Sequence, residues 1–293
     1  MEKLLLVSLL FLVTTAATAQ SKDKPAYRLF SKEGKPLEYN KMLASLQKTQ
    51  VVLFGEQHND PIAHWLQLEV AKDLNKAHQG KFAIGAEMFE ADVQLVLNEY
   101  LAGQVPENNF EQEARPWPNY KTDYKPVIRF AKDNGVPVVA TNVPRRYAAM
   151  VSGGGLVALE KVSDNGQRYF APLPVAVDMS LSGYKNMLSM FGSNTHGNTK
   201  AEHIVQAQAL KDATMAHFIL QQVQQEHRLL HLNGAYHSDN FEGIGWYLKQ
   251  AQPDLEVLTI TTVLQDDLSK LQKEHQQKAD FILVVPSSMT RTF

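Results

Sequence analysis

The chain has no cysteine among its 293 residues. That excludes disulfides, thiolate metal sites and a cysteine nucleophile, and with them the acylated cysteine a lipoprotein needs. Net charge is also small: 29 basic against 31 acidic side chains leave a formal −2. The basic residues are dispersed, so neither nucleic acid nor an anionic lipid surface is expected as a partner. No Gly-x-Ser-x-Gly elbow is present, which disfavours a serine hydrolase. No Gly-x-Gly-x-x-Gly or Walker-type loop follows the first strand-like run, which argues against a nucleotide site. Long apolar runs are absent beyond the first 20 residues.

What is present begins with that N-terminus. Met1-Glu2-Lys3 is followed by an apolar run from Leu4 to Val13 and then by small residues ending Ala17-Thr18-Ala19. The order of charged start, short apolar segment and A-x-A site is that of a secretory signal peptide over residues 1–19. The run is shorter than the ~20 residues a spanning helix needs. The expected product is a mature protein that is periplasmic or secreted and not a lipoprotein. With 44% hydrophobic residues, it can bury a sizeable core without disulfides.

Residues 20–45 read as an irregular lead-in, and 46–293 as a single α/β domain. Six compact apolar runs stand out: Val51 to Phe54, Phe82 to Ala86, Val136 to Thr141, Leu229 to Leu232, Val257 to Val263 and Phe281 to Val285. They do not alternate cleanly, the pattern of strands covered on both faces of a parallel sheet. Helical stretches intervene. Asp60-Pro61 supplies an N-cap and a first-turn proline ahead of Leu66, Val70 and Leu74. Val93, Leu97 and Leu101 are closed by Gly103, and Tyr124 to Asp133 leads to Gly135-Val136-Pro137. The expected fold is a mostly parallel sheet flanked by helices. From about 145 to 225 the rhythm breaks: a Ser152-Gly153-Gly154-Gly155 stretch, read as flexible, is followed by Met179, Met187 and Met190. A long helix is expected from Thr199 to about His227. This section reads as a helical cap inserted between the third and fourth strands.

In open α/β sheets, ligands bind beyond the carboxyl ends of the strands. There the first run ends in Gly55-Glu56-Gln57-His58, with His64 one turn past the cap. The second ends in Glu87, the third in Asn142 followed by Arg145 and Arg146, and the fourth in Asn233-Gly234-Ala235-Tyr236-His237. Glycine lets the chain turn sharply and approach a ligand, and imidazole beside carboxylates suits a metal or acid–base chemistry. Each feature alone has a bland reading. A single Gly-x-x-His is most often a capping or core histidine, and Glu56 or Glu87 can pair with Arg145 or Arg146. Their coincidence at four strand ends points to a site. His78, His203, His217, His227, His231 and His275 read as surface or helix-face residues. His196 is kept because it lies in a polar loop of the insertion. The methionines and aromatics of the cap read first as packing, and they also suit a flat apolar cofactor. For haem iron, Tyr184, Tyr147 and Tyr169 are the insertion's candidate ligands.

At these residues the sequence resembles the ChaN-like haem-binding uptake family, related to the wider Tiki/TraB group. The resemblance runs from Val51 to about Leu248. It is carried by Leu53-Phe54-Gly55-Glu56-Gln57-His58-Asn59-Asp60-Pro61 with His64, by Gly85-Ala86-Glu87-Met88-Phe89 with Gln94, and by Asn142-Val143-Pro144-Arg145. Gln208-Ala209-Leu210-Lys211-Asp212-Ala213-Thr214-Met215-Ala216 and His231-Leu232-Asn233-Gly234-Ala235-Tyr236-His237 complete it. It implies an α/β core with a helical cap, haem as cofactor, a place in haem or iron acquisition with an outer-membrane haem uptake system, and a homodimer enclosing the cofactor. Members are often lipoproteins, a pattern from which this cysteine-free chain departs. On the haem reading the candidate cofactor residues are Tyr184, His196, Tyr147, Arg145 and Asn142. The similarity to Tiki-type proteins implies the alternative, a divalent-metal-dependent hydrolase. Glu56, His58, Glu87 and His237 would then hold the metal, with Glu56 and Glu87 as catalytic carboxylates. A binding protein is the first expectation, the enzyme the second.

Overall fold

A computed structural model describes residues 23–191 and 200–293. Residues 1–19, read above as a signal peptide, and His196 lie outside the described residues. In chain order the elements are β1 (Arg28–Ser31), β2 (Pro36–Leu37), α1 (Tyr39–Leu46), β3 (Val51–Glu56), α2 (Pro61–Ala77), β4 (Phe82–Glu90), α3 (Gln94–Leu101), α4 (Glu107–Glu113) and α5 (Lys125–Asp133). They continue with β5 (Val138–Asn142), α6 (Arg145–Gly154), α7 (Asp164–Gln167), α8 (Ser182–Phe191), α9 (Ala201–Gln224), β6 (Arg228–Gly234), α10 (Ile244–Ala251), β7 (Val257–Gln265) and β8 (Phe281–Pro286).

All six apolar runs are strands, and all six run parallel, in one eight-stranded sheet of order β2-β1-β8-β7-β3-β6-β4-β5. Every residue of β3 is buried, as expected for a central parallel strand with helices on both faces. Successive side chains serve opposite faces. Val52 and Phe54 join the core under α2 and α5, while Val51 and Leu53 join Met215, Ile219 and Leu248 of α9 and α10. Each fully buried side chain of this size contributes roughly 1.5–3 kcal/mol.

The lead-in is not irregular. Residues 28–31 pair antiparallel with β8, and Pro36–Leu37 folds back on them, followed by α1. A strand of four residues has too little periodicity to announce itself, and its partner lies some 250 residues away. At the other edge, β5 pairs only with β4 among the described residues. There the Gln94 side chain donates to the Val138 carbonyl (2.9 Å) and accepts from the Ala140 amide (2.7 Å).

Asp60 caps α2 as expected, accepting from the Ala63 amide at 2.9 Å with Pro61 in the first turn. Ser152, Gly153 and Gly154 form the last turn of α6, and Gly155 ends it at φ 74°; the stretch read as flexible is helix. The section between β5 and β6 holds α6 to α9. It builds a small core from Val143, Tyr147, Val151, Leu159, Phe170, Ala207 and Leu210. No helix among the described residues is long and apolar enough to cross a membrane.

Candidate functional site

Because β3, β6 and β4 lie side by side, their carboxyl ends bring Glu56, Gly234 and Glu87 together. Both Gly-x-x-His turns close over this edge. Gly234 leaves the space that His58 fills: a Cβ there would stand 2.6 Å from the imidazole Cε1 and 2.8 Å from Nε2. Gly55 leaves room for the opposite turn, since its Cβ would stand 2.8 Å from Ala235 Cα. The two turns interlock through the missing side chains.

Two buried carboxylate–imidazole–carboxylate clamps flank His58. In the first, Glu56 is fully saturated. Tyr124 donates to its Oε1 at 2.5 Å and Gln67 to its Oε2 at 2.6 Å, with His58 Nδ1 at 3.0 Å from Oε1 and His64 Nδ1 at 3.4 Å from Oε2. The far nitrogen of His64 lies 3.4 Å from Asp123 Oδ2, which also accepts from Asn119 and Thr292. Burial pushes Glu56 up, but the bonds from His58 and His64 and the His64 charge hold its carboxyl far below the ordinary range. Burial likewise opposes charge on His64, yet Glu56 and Asp123 raise it to about 9.

In the second clamp, Glu87 Oε2 accepts the Gly234 amide at 2.7 Å, and Oε1 lies 3.2 Å from His237 Nε2. His237 Nδ1 lies 2.5 Å from Asp212 Oδ1. Burial disfavours the His237 charge, but Glu87 and Asp212 raise its pKa to about 10. Burial raises Glu87, and the His237 charge and hydrogen bond bring it down to about 2. The cations beside the buried glutamates are therefore histidines. Arg145 is 85% exposed and only 4.0 Å from Glu90, and Arg146 pairs with Asp92.

Above the clamps lies a cavity of about 610 Å³, within the range of small-ligand pockets. Its floor is His58, Glu87 and His237. Asn142 and Arg145 stand on one side, and Met187, Phe191, Ile204 and Ala207 of the insertion form an apolar wall opposite. His58 is the open member of the floor, with 44% of its side chain exposed against 7% for His237. Its ring packs edge-on against Trp117 at 4.8 Å. Burial lowers its pKa, but the Glu56 hydrogen bond and the charges of Glu87 and Glu56 raise it overall. Nδ1 is engaged by Glu56, and Nε2 makes no hydrogen bond to a described residue. The Asn142 Oδ1 atom is buried without a partner.

Of the sequence candidates, His58, Glu87, His237, Asn142 and Arg145 line this cavity, with Glu56 directly beneath His58. Tyr184 and Tyr147 do not. Tyr184 is buried behind the floor with its hydroxyl on Asp212, and Tyr147 packs on Phe170 under the Arg146 guanidinium. Tyr169 lies in the same small core as Tyr147, not in the cavity lining. His231 is no surface residue. It is fully buried in β6, bonded to Thr141 at 2.8 Å and Asn233 at 3.0 Å, and burial lowers its pKa to about 4.

Sequence reasoning missed Trp117, Asn119, Asp123 and Tyr124, which come from the turn before α5, and the roles of Gln67 and Asp212. The last two carried a signal. Gln67 shares the buried face of α2 with Ala63, Leu66 and Val70, and Asp212 that of α9 with Val205, Ala209 and Ala216. A polar group at the helical spacing of a core face needs an internal partner.

Fold and site together define a class: a mostly parallel α/β protein with a cavity at the strand ends, walled on one side by an inserted helical cap. The chain belongs to the family described as haem-binding uptake, Tiki superfamily, ChaN, whose model matches residues 42–248. Among solved structures it is similar to ChaN of Campylobacter jejuni, described with cofacially bound haem. The TM-score is 0.67 at 16% identity, over 88% of this chain and 96% of that one, a likeness in fold. It is also 24% identical over 191 residues to Protein RETICULATA-RELATED 5, chloroplastic, of Arabidopsis thaliana, covering 61% of this chain. This chain spans about a quarter of the length of that relative.

Proposed function

We propose that this protein binds haem in the strand-end cavity, as an exported component of haem or iron acquisition. The observation that carries the reading is His58, an imidazole open to a cavity with one apolar wall. A histidine that ligates metal usually spends its other nitrogen on a carboxylate, which fixes the ring and strengthens the free nitrogen as a donor, and Glu56 is so placed. Haem supplies an iron that an imidazole can ligate. His58 would hold the iron, Met187, Phe191, Ile204 and Ala207 would contact the macrocycle, and Arg145 and Lys211 would be the cations available to its carboxylates. Tyr184 and Tyr147 are not needed as ligands on this reading. Family membership supports haem as the ligand. The N-terminal pattern supports export to the periplasm or medium, and the family resemblance supports a homodimer and an outer-membrane uptake partner.

The test is titration of haemin into the purified protein, with His58→Ala beside it. A stoichiometric Soret shift in the wild type that changes position or is lost in His58→Ala is expected. No shift in the wild type sinks the reading.

The second reading, a metal-dependent hydrolase, draws on the meeting of Glu56, His58, Glu87 and His237 in one place. Against it, the carboxylate oxygens are already committed to tyrosine, glutamine, imidazole and amide donors. Among the described residues no group of three or more His, Asp or Glu is arranged to hold a metal ion. Metal content that falls on replacing His58 and His237 together would favour it.

A further inference from the structure

We propose that Tyr184 is a positioning residue that locks the cap wall of the cavity to its floor through Asp212 and His237. The proposal rests on the haem reading only for what the cavity holds. Tyr184 donates to Asp212 Oδ2 at 2.8 Å, and Asp212 Oδ1 lies 2.5 Å from His237 Nδ1. His237 Nε2 reaches Glu87 at 3.2 Å, which accepts the Gly234 amide. A continuous line of polar contacts thus joins α8 of the cap to the ends of β4 and β6. On the same helix, Met187 and Phe191 follow Tyr184 at i+3 and i+7, the spacing of a single helix face, and both line the cavity.

The start of α8 is held by the same turn that carries His237. The Ser182 and Gly183 amides each donate to the Glu242 carboxylate at 2.8 Å, and Tyr236 donates to the Gly183 carbonyl at 2.5 Å. Tyr236 and Glu242 flank His237 in sequence, so wall and floor share one turn. The apolar packing of α8 is modest: Tyr184, its single fully buried residue, packs with Val205 and Ala209 of α9, with Met187 and Leu188 only partly buried beside them. A helix with so little buried surface opens easily unless polar bonds fix it. Burial and the Asp212 charge raise the phenol's pKa, so its hydroxyl stays a donor at neutral pH and serves Asp212.

The experiment compares wild type, Tyr184→Phe, Asp212→Asn and the double variant, each as full chain. Two readouts are used, haemin titration and amide hydrogen exchange of the ligand-free protein. Tyr184→Phe keeps the ring and removes one hydroxyl. Expected are about a tenfold loss of haem affinity, equal to ~1.4 kcal/mol, an unchanged Soret position, and faster exchange over residues 182–191. The double variant should lose no more than Asp212→Asn alone, the non-additivity of a shared line. A lost or shifted Soret band in Tyr184→Phe overturns the proposal by making the phenol a ligand; affinity and exchange both at wild-type level overturn it by making the hydroxyl idle. Without a Soret shift in the wild type the haem reading fails, and the exchange comparison alone decides the role of Tyr184.

Discussion

The two glycines of the Gly-x-x-His turns should behave oppositely when given a methyl group. At Gly234 the backbone (φ −60°, ψ 140°) suits any residue, so only space is at issue. The new Cβ would meet His58 Cε1 at 2.6 Å and Nε2 at 2.8 Å, against the ~3.5–4.0 Å of an ordinary carbon contact. The ring must swing by about 1 Å, which breaks its 3.0 Å bond to Glu56. A bond to a charged group is worth about 1.5–3 kcal/mol. The ring is 44% exposed and water replaces much of the contact, so Gly234→Ala should cost under ~1 kcal/mol of fold stability. Ligand binding should suffer more, because loss of a carboxylate partner behind a metal-binding histidine typically costs about 10–100-fold in affinity. At Gly55 the obstacles include backbone, Ala235 Cα at 2.8 Å and the Ile260 carbonyl oxygen at 3.2 Å. Neither can swing aside. Overpacking of this kind costs about 1–3 kcal/mol, a fall of several degrees in Tm at ~2–4 °C per kcal/mol. Paired thermal melts and haemin titrations separate the cases. The reasoning is refuted if Gly234→Ala binds haem within twofold of wild type, or melts as low as Gly55→Ala.

Two further outcomes follow from the buried network. Glu87, held at about 2, stabilises the fold above the ordinary carboxylate pKa of ~4.3 and loses that contribution as pH falls toward 2. His237, raised to about 10, contributes fully below its ordinary ~6.5 and loses it as pH rises through about 10. Denaturant midpoints should therefore be highest between about pH 4.5 and 6.5 and decline on both sides; a steady rise from pH 6 to 10 would contradict the assignment. Gly85→Ala should destabilise by ~1–3 kcal/mol, since its Cβ would stand 2.6 Å from His231 Cδ2 and push that ring off Thr141. A wild-type melting temperature would show that the space is not fixed.

The legible part of the sequence was that set by local pattern. Apolar runs too dense to alternate marked the six parallel strands, and Asp60-Pro61 marked the start of α2. The residues just after each run marked the site edge, because a parallel sheet gathers its carboxyl ends on one side. What stayed hidden depends on partners far along the chain. Residues 28–31 become a strand only against β8. Tyr124 reaches Glu56 across 68 residues, and Asp212 reaches His237 across 25, from the buried face of α9. His231 reads from the sequence as a surface or helix-face residue, and the absent side chain at Gly85, on the strand between, leaves its ring the path to Thr141. Tyr184 and Tyr147 carry a chemistry that suits iron, but their placement on Asp212 and against Phe170 depends on neighbours that no local pattern announces.

The lone outer strand β5 ends the parallel sheet, and its unpaired amides and carbonyls would ordinarily invite a strand from another molecule. Gln94 intervenes. By donating to Val138 and accepting from Ala140, a single side-chain amide imitates one peptide of a neighbouring strand and takes up the bonding positions where pairing would start. Two of the bonding positions along this edge are thereby filled from within the chain. The chain does so with the first residue of α3, 44 residues before Val138 and separated from β5 by α4 and α5.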